Sequence, residues 1–163
     1  MTLTADYVKS ILNYDPVSGI FIWIKPRPKI KIWSIAGGIT ELGYVKIKID
    51  GKKYLAHRLA YLYMTGEWPK DEIDHVNMIR SDNRWENLRA ATRSQNFGNQ
   101  KKYKSNKSGI KGVSWDKECS KWLAQIQVDK KKIKLGRFDN IEDAENAYAK
   151  AALELFKQFA RSK

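Results

Sequence analysis

Within residues 73 to 99 the chain sets Asp74 directly before His75, then Asn87, then Asn96. Hydrolysis of a phosphodiester needs a nucleophilic water, a base to take its proton, and a cation to neutralise charge growing on the phosphorane and the leaving oxygen. Asp74, His75 and Asn96 are a minimal set for that chemistry. Carboxylate and amide oxygens are hard ligands suited to Mg2+ or Mn2+, which keep open positions for water and phosphate. Histidine titrates near neutral pH and is the natural base. Neighbouring strand residues point to opposite sides, so Asp74 and His75 converge only where the strand ends or twists. Each residue alone has a plainer role, as a surface histidine, a turn aspartate, or a loop or cap asparagine.

The elements that must hold these residues can be traced by periodicity. Thr4 can cap a helix whose apolar positions are Tyr7, Val8, Ile11 and Leu12, and the turn at residues 15–19 breaks it. A β-prone run at residues 20–24 follows, then a basic, proline-containing loop at residues 25–31 and a break at Gly37-Gly38. Residues 44–49 alternate apolar with basic, turn at Asp50-Gly51 and resume at Tyr54, which predicts a hairpin. A short helix runs from His57 to about Met64, closed by Gly66 and Pro69.

Composition narrows the class. The chain of 163 residues has room for one ordinary domain or two small ones. A formal charge of +13 exceeds what solubility requires and attracts polyanions, so nucleic acid is the first partner to test. The single cysteine, Cys119, excludes an internal disulfide and paired-cysteine zinc sites. No run of about 18 apolar residues exists. The first residues lack the basic-then-apolar pattern of a secretory signal, so the expectation is an intracellular protein with no membrane partner.

The ordered set Asp74-His75, Asp82-Asn83-Arg84, Asn87-Leu88 and Asn96 resembles the HNH endonuclease motif in its phage and intron-encoded homing form. The resemblance takes in the Tyr14-Asp15-Pro16 to Gly19 turn, Gly43-Tyr44 and Ala56-His57-Arg58-Leu59-Ala60, and so covers residues 1–100. It implies an α+β protein whose N-terminal domain has the ββα-metal (His-Me finger) fold, with its core at about residues 72–99. It also implies one divalent ion per active site, Mg2+ or Mn2+, held by Asp74 and Asn96. In this family His75 activates water and Asn87 pins the hairpin loop that orients it. Asn96 stands where the family often has histidine, as in related homing-type members. His57 reads as a structural or phosphate-contacting residue rather than the base. Arg58, Arg80, Arg84, Arg89 and Arg93 crowd the same region, and their planar forks suit phosphate. Arg58, Arg84, Arg89 and Arg93 are expected DNA contacts, although Arg84 has Glu86 nearby as a salt-bridge partner.

A lysine-rich, aperiodic stretch at residues 101–108, with Lys101, Lys102, Lys104 and Lys107, reads as a linker. Beyond it, residues 109–160 predict three strands, residues 112–115, 122–128 and 131–138, then a helix capped by Asn140. Ala144, Ala147, Tyr148, Ala151 and Leu155 fall on the helix stripe that would cover the sheet. The segments Gly112-Val113-Ser114-Trp115, Lys121-Trp122, Lys134-Leu135-Gly136-Arg137-Phe138 and Glu142-Asp143-Ala144 resemble the DNA-binding domain of the plant APETALA and ethylene-response factors. That resemblance implies a small three-stranded antiparallel sheet with one packing helix. Lys111, Ser114, Gln125, Gln127, Lys132 and Lys134 are then the residues facing double-stranded DNA.

Together these readings predict a metal-dependent DNA endonuclease that nicks DNA or cuts both strands, targeted by its C-terminal module. No obligate protein partner is inferable, and a dimer on DNA is compatible with the sequence. Two alternatives belong to other classes: a non-catalytic DNA-binding regulator that keeps HNH as a structural fold, and RNA binding or cleavage. The intact motif argues against the first, and a module of the major-groove type argues against the second.

Overall fold

The computed structural model describes residues 3–100 and 106–160; Lys101, Lys102 and Lys104 of the expected linker lie outside the described residues. By their internal contacts the residues form two compact units, Met1–Ala90 and Ala91–Lys163.

The first unit opens with helix α1, Ala5–Ile11, where the Thr4 hydroxyl accepts from the Tyr7 amide at 3.3 Å. Leu12, expected to continue the helix, instead starts strand β1, Leu12–Asp15. β1 pairs antiparallel with β2, Ile20–Trp23, so the turn at residues 15–19 is a hairpin turn and not merely a helix stop. A second sheet orders β3 (Gly38–Ile39), β4 (Val45–Ile49) and β5 (Lys52–Leu55) side by side. Strand alternation buries Ile47 and Ile49 and leaves Lys46 and Lys48 in water, as the sequence pattern requires. Helix α2, Ala56–Thr65, starts directly after β5 and ends at Gly66, whose amide reaches the Leu62 carbonyl at 2.9 Å. Val8, Ile11, Leu12, Ile47, Ile49, Leu59 and Leu62 form the fully buried centre. Strand β6, Glu72–His75, pairs with β7, Leu88–Ala91, and residues 76–87 connect them.

The second unit contains helix α3, Arg93–Asn99, started by a capping box between Thr92 and Gln95. Strands β8 (Val113–Asp116), β9 (Lys121–Val128) and β10 (Lys131–Phe138) form an antiparallel sheet in the order β10-β9-β8. Helix α4, Ile141–Phe156, packs on that sheet. Its buried stripe is Ala144, Tyr148, Ala152 and Phe156, at four-residue steps, while Leu155 is 44% exposed and not part of the stripe. Asn140 holds the N-cap position but aims its amide at the Asp143 carboxylate, 3.4 Å away, instead of accepting from the helix backbone.

Two features of this unit differ from the sequence reading. Lys111, expected on DNA, is 8% exposed, and its ammonium donates to the carbonyls of Phe97 (3.2 Å), Gly98 (2.6 Å) and Gln100 (2.8 Å). The last carbonyls of a helix have no partner within it, and a buried cation at that end satisfies them and favours the helix dipole. Lys111 is therefore a C-terminal cap for α3. The unit boundary also falls at residue 91, ahead of the expected linker at 101–108. α3 packs by contact with α4, and Phe156 lies so close to Gly98 that a Cβ there would sit 2.7 Å from the ring. No helix among the described residues is long and apolar enough to cross a membrane.

Gly112 shows how tightly the sheet and helix of this unit meet. Its φ is +74°, and a Cβ would lie 2.1 Å from Cε2 of Tyr148. Gly112→Ala therefore combines backbone strain with overpacking and should destabilise the second unit by about 2–4 kcal/mol in chemical denaturation. An unchanged midpoint would mean that the Tyr148 ring gives way at no cost.

Candidate active site

The β1–β2 turn is stiffened first. The Asp15 carboxylate accepts from the Val17 amide at 3.0 Å and from the Ser18 hydroxyl at 2.6 Å; the Ser18 bond leads in holding its pKa below the ordinary value. Gly19, at φ +73°, passes so close to the segment at residues 83–84 that a Cβ would meet the Arg84 nitrogen and the Asn83 carbonyl carbon at 2.4 Å. The Trp85 amide donates to the Pro16 carbonyl at 2.9 Å. The Tyr14 hydroxyl, pushed up in pKa by burial and so a firm donor, reaches the Asn83 carbonyl at 2.7 Å. The N-terminal hairpin thus buttresses the loop that faces the site.

That loop, residues 76–87, is closed by the Asn87 side chain. Its Oδ1 accepts from the Asn77 amide at 3.0 Å, its Nδ2 donates to the Asp82 carbonyl at 2.8 Å, and its carbonyl takes the Val76 amide at 2.9 Å. Asn77 repeats the device one step inward, donating to the Asp82 carboxylate at 2.6 Å and accepting from the Ile79 amide at 2.8 Å. The Arg84 guanidinium binds Asp82 through Nε at 2.9 Å and a terminal nitrogen at 2.8 Å, and so holds that carboxyl down to about 2. Buried asparagines suit this work because one side chain offers both a donor and an acceptor at loop geometry.

His75 is the last residue of β6, and Asp74 and His75 are both buried, at 4% and 5% exposure. The strand ends there, as convergence required, but the two side chains meet different partners. Asp74 Oδ2 is held by Arg89 of β7, at 2.8 Å from Nε and 2.7 Å from a terminal nitrogen. His75 Nε2 lies 3.4 Å from Asn83 Oδ1, with the rings of His57 and Tyr44 at 4.9 and 6.2 Å. Burial is the largest influence on His75 and pushes its pKa below the ordinary value, against the opposing pull of Asn83 and Asp74. The imidazole is therefore neutral, with one ring nitrogen unprotonated, at neutral pH. His57 is also lowered, to about 3, by burial first and then by His75 and Arg58.

Three of the four arginines expected on DNA are engaged within the protein. Arg58 donates to the carbonyls of Asp71 (2.9 Å) and Pro69 (3.2 Å), Arg84 is shared between Asp82 and Glu86, and Arg89 holds Asp74. Arg93, the first residue of α3, is exposed. Arg80 lays its guanidinium over Tyr44 at 4.9 Å and donates to the Leu42 carbonyl. Asn96, the expected second metal ligand, belongs to the second unit; its amide closes the first turn of α3 onto Thr92. Sequence reasoning gave no role to Asn83 or Tyr44. Asn83 is 2% exposed, and only its place within the quoted Asp82-Asn83-Arg84 segment could have marked it.

In the second unit the register gathers the remaining candidates on one face. Gln125 stands opposite Lys134, Gln127 opposite Lys132, and Ser114 opposite Leu123, which itself faces Arg137. Cross-strand partners share a face, so Ser114, Gln125, Gln127, Lys132 and Lys134 lie together, opposite the side that buries Ala124 and Ile126. Ser114, Gln125, Gln127 and Lys132 also line a groove with Trp115 and Trp122.

Comparison with known proteins bears on the first of these regions. Residues 54–97 match the HNH endonuclease family HNH_3, a segment that runs from β5 to α3 and includes Asp74, His75, Asn87 and Asn96. Over 136 residues the chain is 29% identical to Protein 3.8 of Escherichia phage T7, an alignment covering 83% of this chain and 89% of that one. No solved structure matches. The chain therefore carries an HNH-type segment, which suggests a nuclease.

The Asp74–Arg89 pair yields a direct test. Truncating one partner of a buried ion pair leaves the other charge uncompensated. Arg89→Ala should cost on the order of 3 kcal/mol of stability in chemical denaturation. A variant as stable as wild type would show that Asp74 does not depend on that counter-ion.

Proposed function

We propose that this chain is a metal-dependent DNA endonuclease of the HNH type. The observation that carries the reading is His75: a buried imidazole kept neutral, at the end of β6 beside Asp74, directly before a loop clamped by Asn87 and inside the HNH-matched segment. A neutral imidazole there takes the proton of an attacking water, and its bond to Asn83 helps fix the ring for that transfer. Asp74 supplies a buried carboxylate oxygen, a hard donor that fits Mg2+ or Mn2+. The HNH-matched segment also includes Asn96, whose side-chain amide oxygen would be the second hard donor in this proposal. A divalent ion, when bound, neutralises charge on the reacting phosphate and leaving oxygen. Asn87 acts at one remove, by holding the loop.

We further propose that the second unit holds the enzyme on double-stranded DNA in the manner of the APETALA and ethylene-response-factor domain. Its three-stranded sheet backed by α4, with Ser114, Gln125, Gln127, Lys132 and Lys134 on the face away from the helix, supports that reading. The amides can read adenine edges and the lysines can meet phosphate. Arg93 remains a phosphate contact in this scheme, whereas Arg58, Arg84, Arg89 and Lys111 serve the fold.

The test is conversion of supercoiled plasmid by wild type and by His75→Ala, each with Mg2+, with Mn2+ and with a chelator. Wild type should give open circle or linear DNA only with metal, and His75→Ala should bind DNA normally yet cut at least about a hundredfold more slowly. If both proteins bind equally and neither cuts with either metal, the chain is a DNA-binding protein and not a nuclease.

A further inference from the structure

Five arginines lie in the first unit, and four of them are half-buried in uses that the fold accounts for. Arg27 pairs with Asp50, Arg84 with Asp82 and Glu86, and Arg89 with Asp74, while Arg58 donates to the carbonyls of Pro69 and Asp71. Arg80 is the exception. It is exposed, and among the described residues no carboxylate pairs with it.

Arg80 is nevertheless held in place. Its guanidinium carbon lies 4.9 Å from the centre of the Tyr44 ring, and one terminal nitrogen donates to the Leu42 carbonyl at 3.0 Å. That carbonyl belongs to a turn fixed by the Gly43 amide on the Thr40 carbonyl at 2.7 Å and by the Tyr44 amide on the Thr40 hydroxyl at 3.2 Å. The stem of the side chain rests on the same turn, since a Cβ on Gly43 would lie 3.9 Å from that of Arg80. Tyr44 in turn stands 6.2 Å from the His75 ring, centre to centre. Burial leads in lowering the His75 pKa and Arg80 adds to it, so the guanidinium charge reaches that ring through space.

A guanidinium stacked on an aromatic ring keeps its N–H groups in its own plane, where they point outward. One carbonyl takes one of them, and the rest of the fork has no partner among the described residues. That fork matches two oxygens of a phosphate. Ordering a long side chain on binding costs free energy, and here the stack and the Leu42 bond order it beforehand. Tying the two loops together needs only a neutral donor, whereas a full positive charge without a counter-ion is matched when an anion arrives. We propose that Arg80 is a phosphate-binding residue of the active site, gripping the DNA backbone phosphate on which His75 acts. The inference rests on the nuclease reading.

The test uses the full chain as wild type, Arg80→Gln and Arg80→Lys. The glutamine amide can still donate to Leu42 but carries no charge, and lysine keeps the charge without the fork. Affinity for duplex DNA is measured without metal over a range of salt, and single-turnover cleavage is measured with Mn2+ at saturating protein. Arg80→Gln should make log affinity against log salt less steep by about one, the mark of one lost phosphate contact. It should also cut at least about tenfold more slowly at saturation. Arg80→Lys should keep the wild-type steepness and cut faster than Arg80→Gln.

The proposal is overturned if Arg80→Gln keeps the wild-type steepness, since Arg80 then only ties the loops together. It also fails if the steepness drops but saturated cleavage is unchanged, which places the contact away from the reacting phosphate, or if Arg80→Lys matches Arg80→Gln in both assays. Should wild type itself cut nothing with either metal, the nuclease reading fails, and the metal-free salt dependence still decides whether Arg80 meets DNA phosphate.

Discussion

The setting of His75 depends on one side chain closing one loop. Asn87 spans residues 76–87 from within, taking the Asn77 amide on its oxygen and giving its nitrogen to the Asp82 carbonyl. Without that bridge the polar backbone of the loop would have to find water or other partners, and β6 would have no fixed continuation after His75. The hairpin at the N-terminus supports the same loop from outside through Tyr14, Pro16 and the close approach of Gly19. Parts of the chain about 70 residues apart therefore cooperate on the setting of one imidazole.

Burial decides the electrostatics. Desolvation outweighs the nearby acids at His75 and leaves a neutral base. It also sets the use of the cations. A buried carboxylate needs a counter-charge more than phosphate needs one further arginine, so Arg89 goes to Asp74, and Lys111 goes to the end of α3 by the same logic. In the proposed reading, attraction for DNA is left to exposed groups such as Arg93, Lys132 and Lys134, within a total of +13. Affinity built on such groups would fall with salt, and on the same proposal any preference for sequence would rest with the amides on the β8–β10 sheet.

Local pattern made much of this legible. Alternation at residues 44–49 gave the β4–β5 hairpin, and Thr4 and Gly66 marked the ends of α1 and α2. Asp74 and His75 stood out by residue type, and Asn87 by motif. What could not be read depends on contacts distant in sequence. Nothing near Lys111 says that three carbonyls eleven to fourteen residues earlier will claim it, and nothing near Arg89 points to Asp74 across the β6–β7 pair. The α4 stripe was misjudged at Leu155 because Phe156 is the residue that reaches Gly98. Asn83 was quoted in a motif without a role, since its value lies in the backbone grip of Tyr14 and its approach to His75.

The central claim, that the Asn87 clamp sets the base, is tested most directly by Asn87→Asp. The change keeps shape and the acceptor toward Asn77 but replaces the donor to the Asp82 carbonyl with a repelling oxygen. Single-turnover cleavage should fall at least about tenfold, with metal-free DNA affinity and secondary structure unchanged, as expected when a catalytic group loses its orientation. Cleavage at the wild-type rate would contradict the account, since His75 would then be set without the bridge from which the structure builds it.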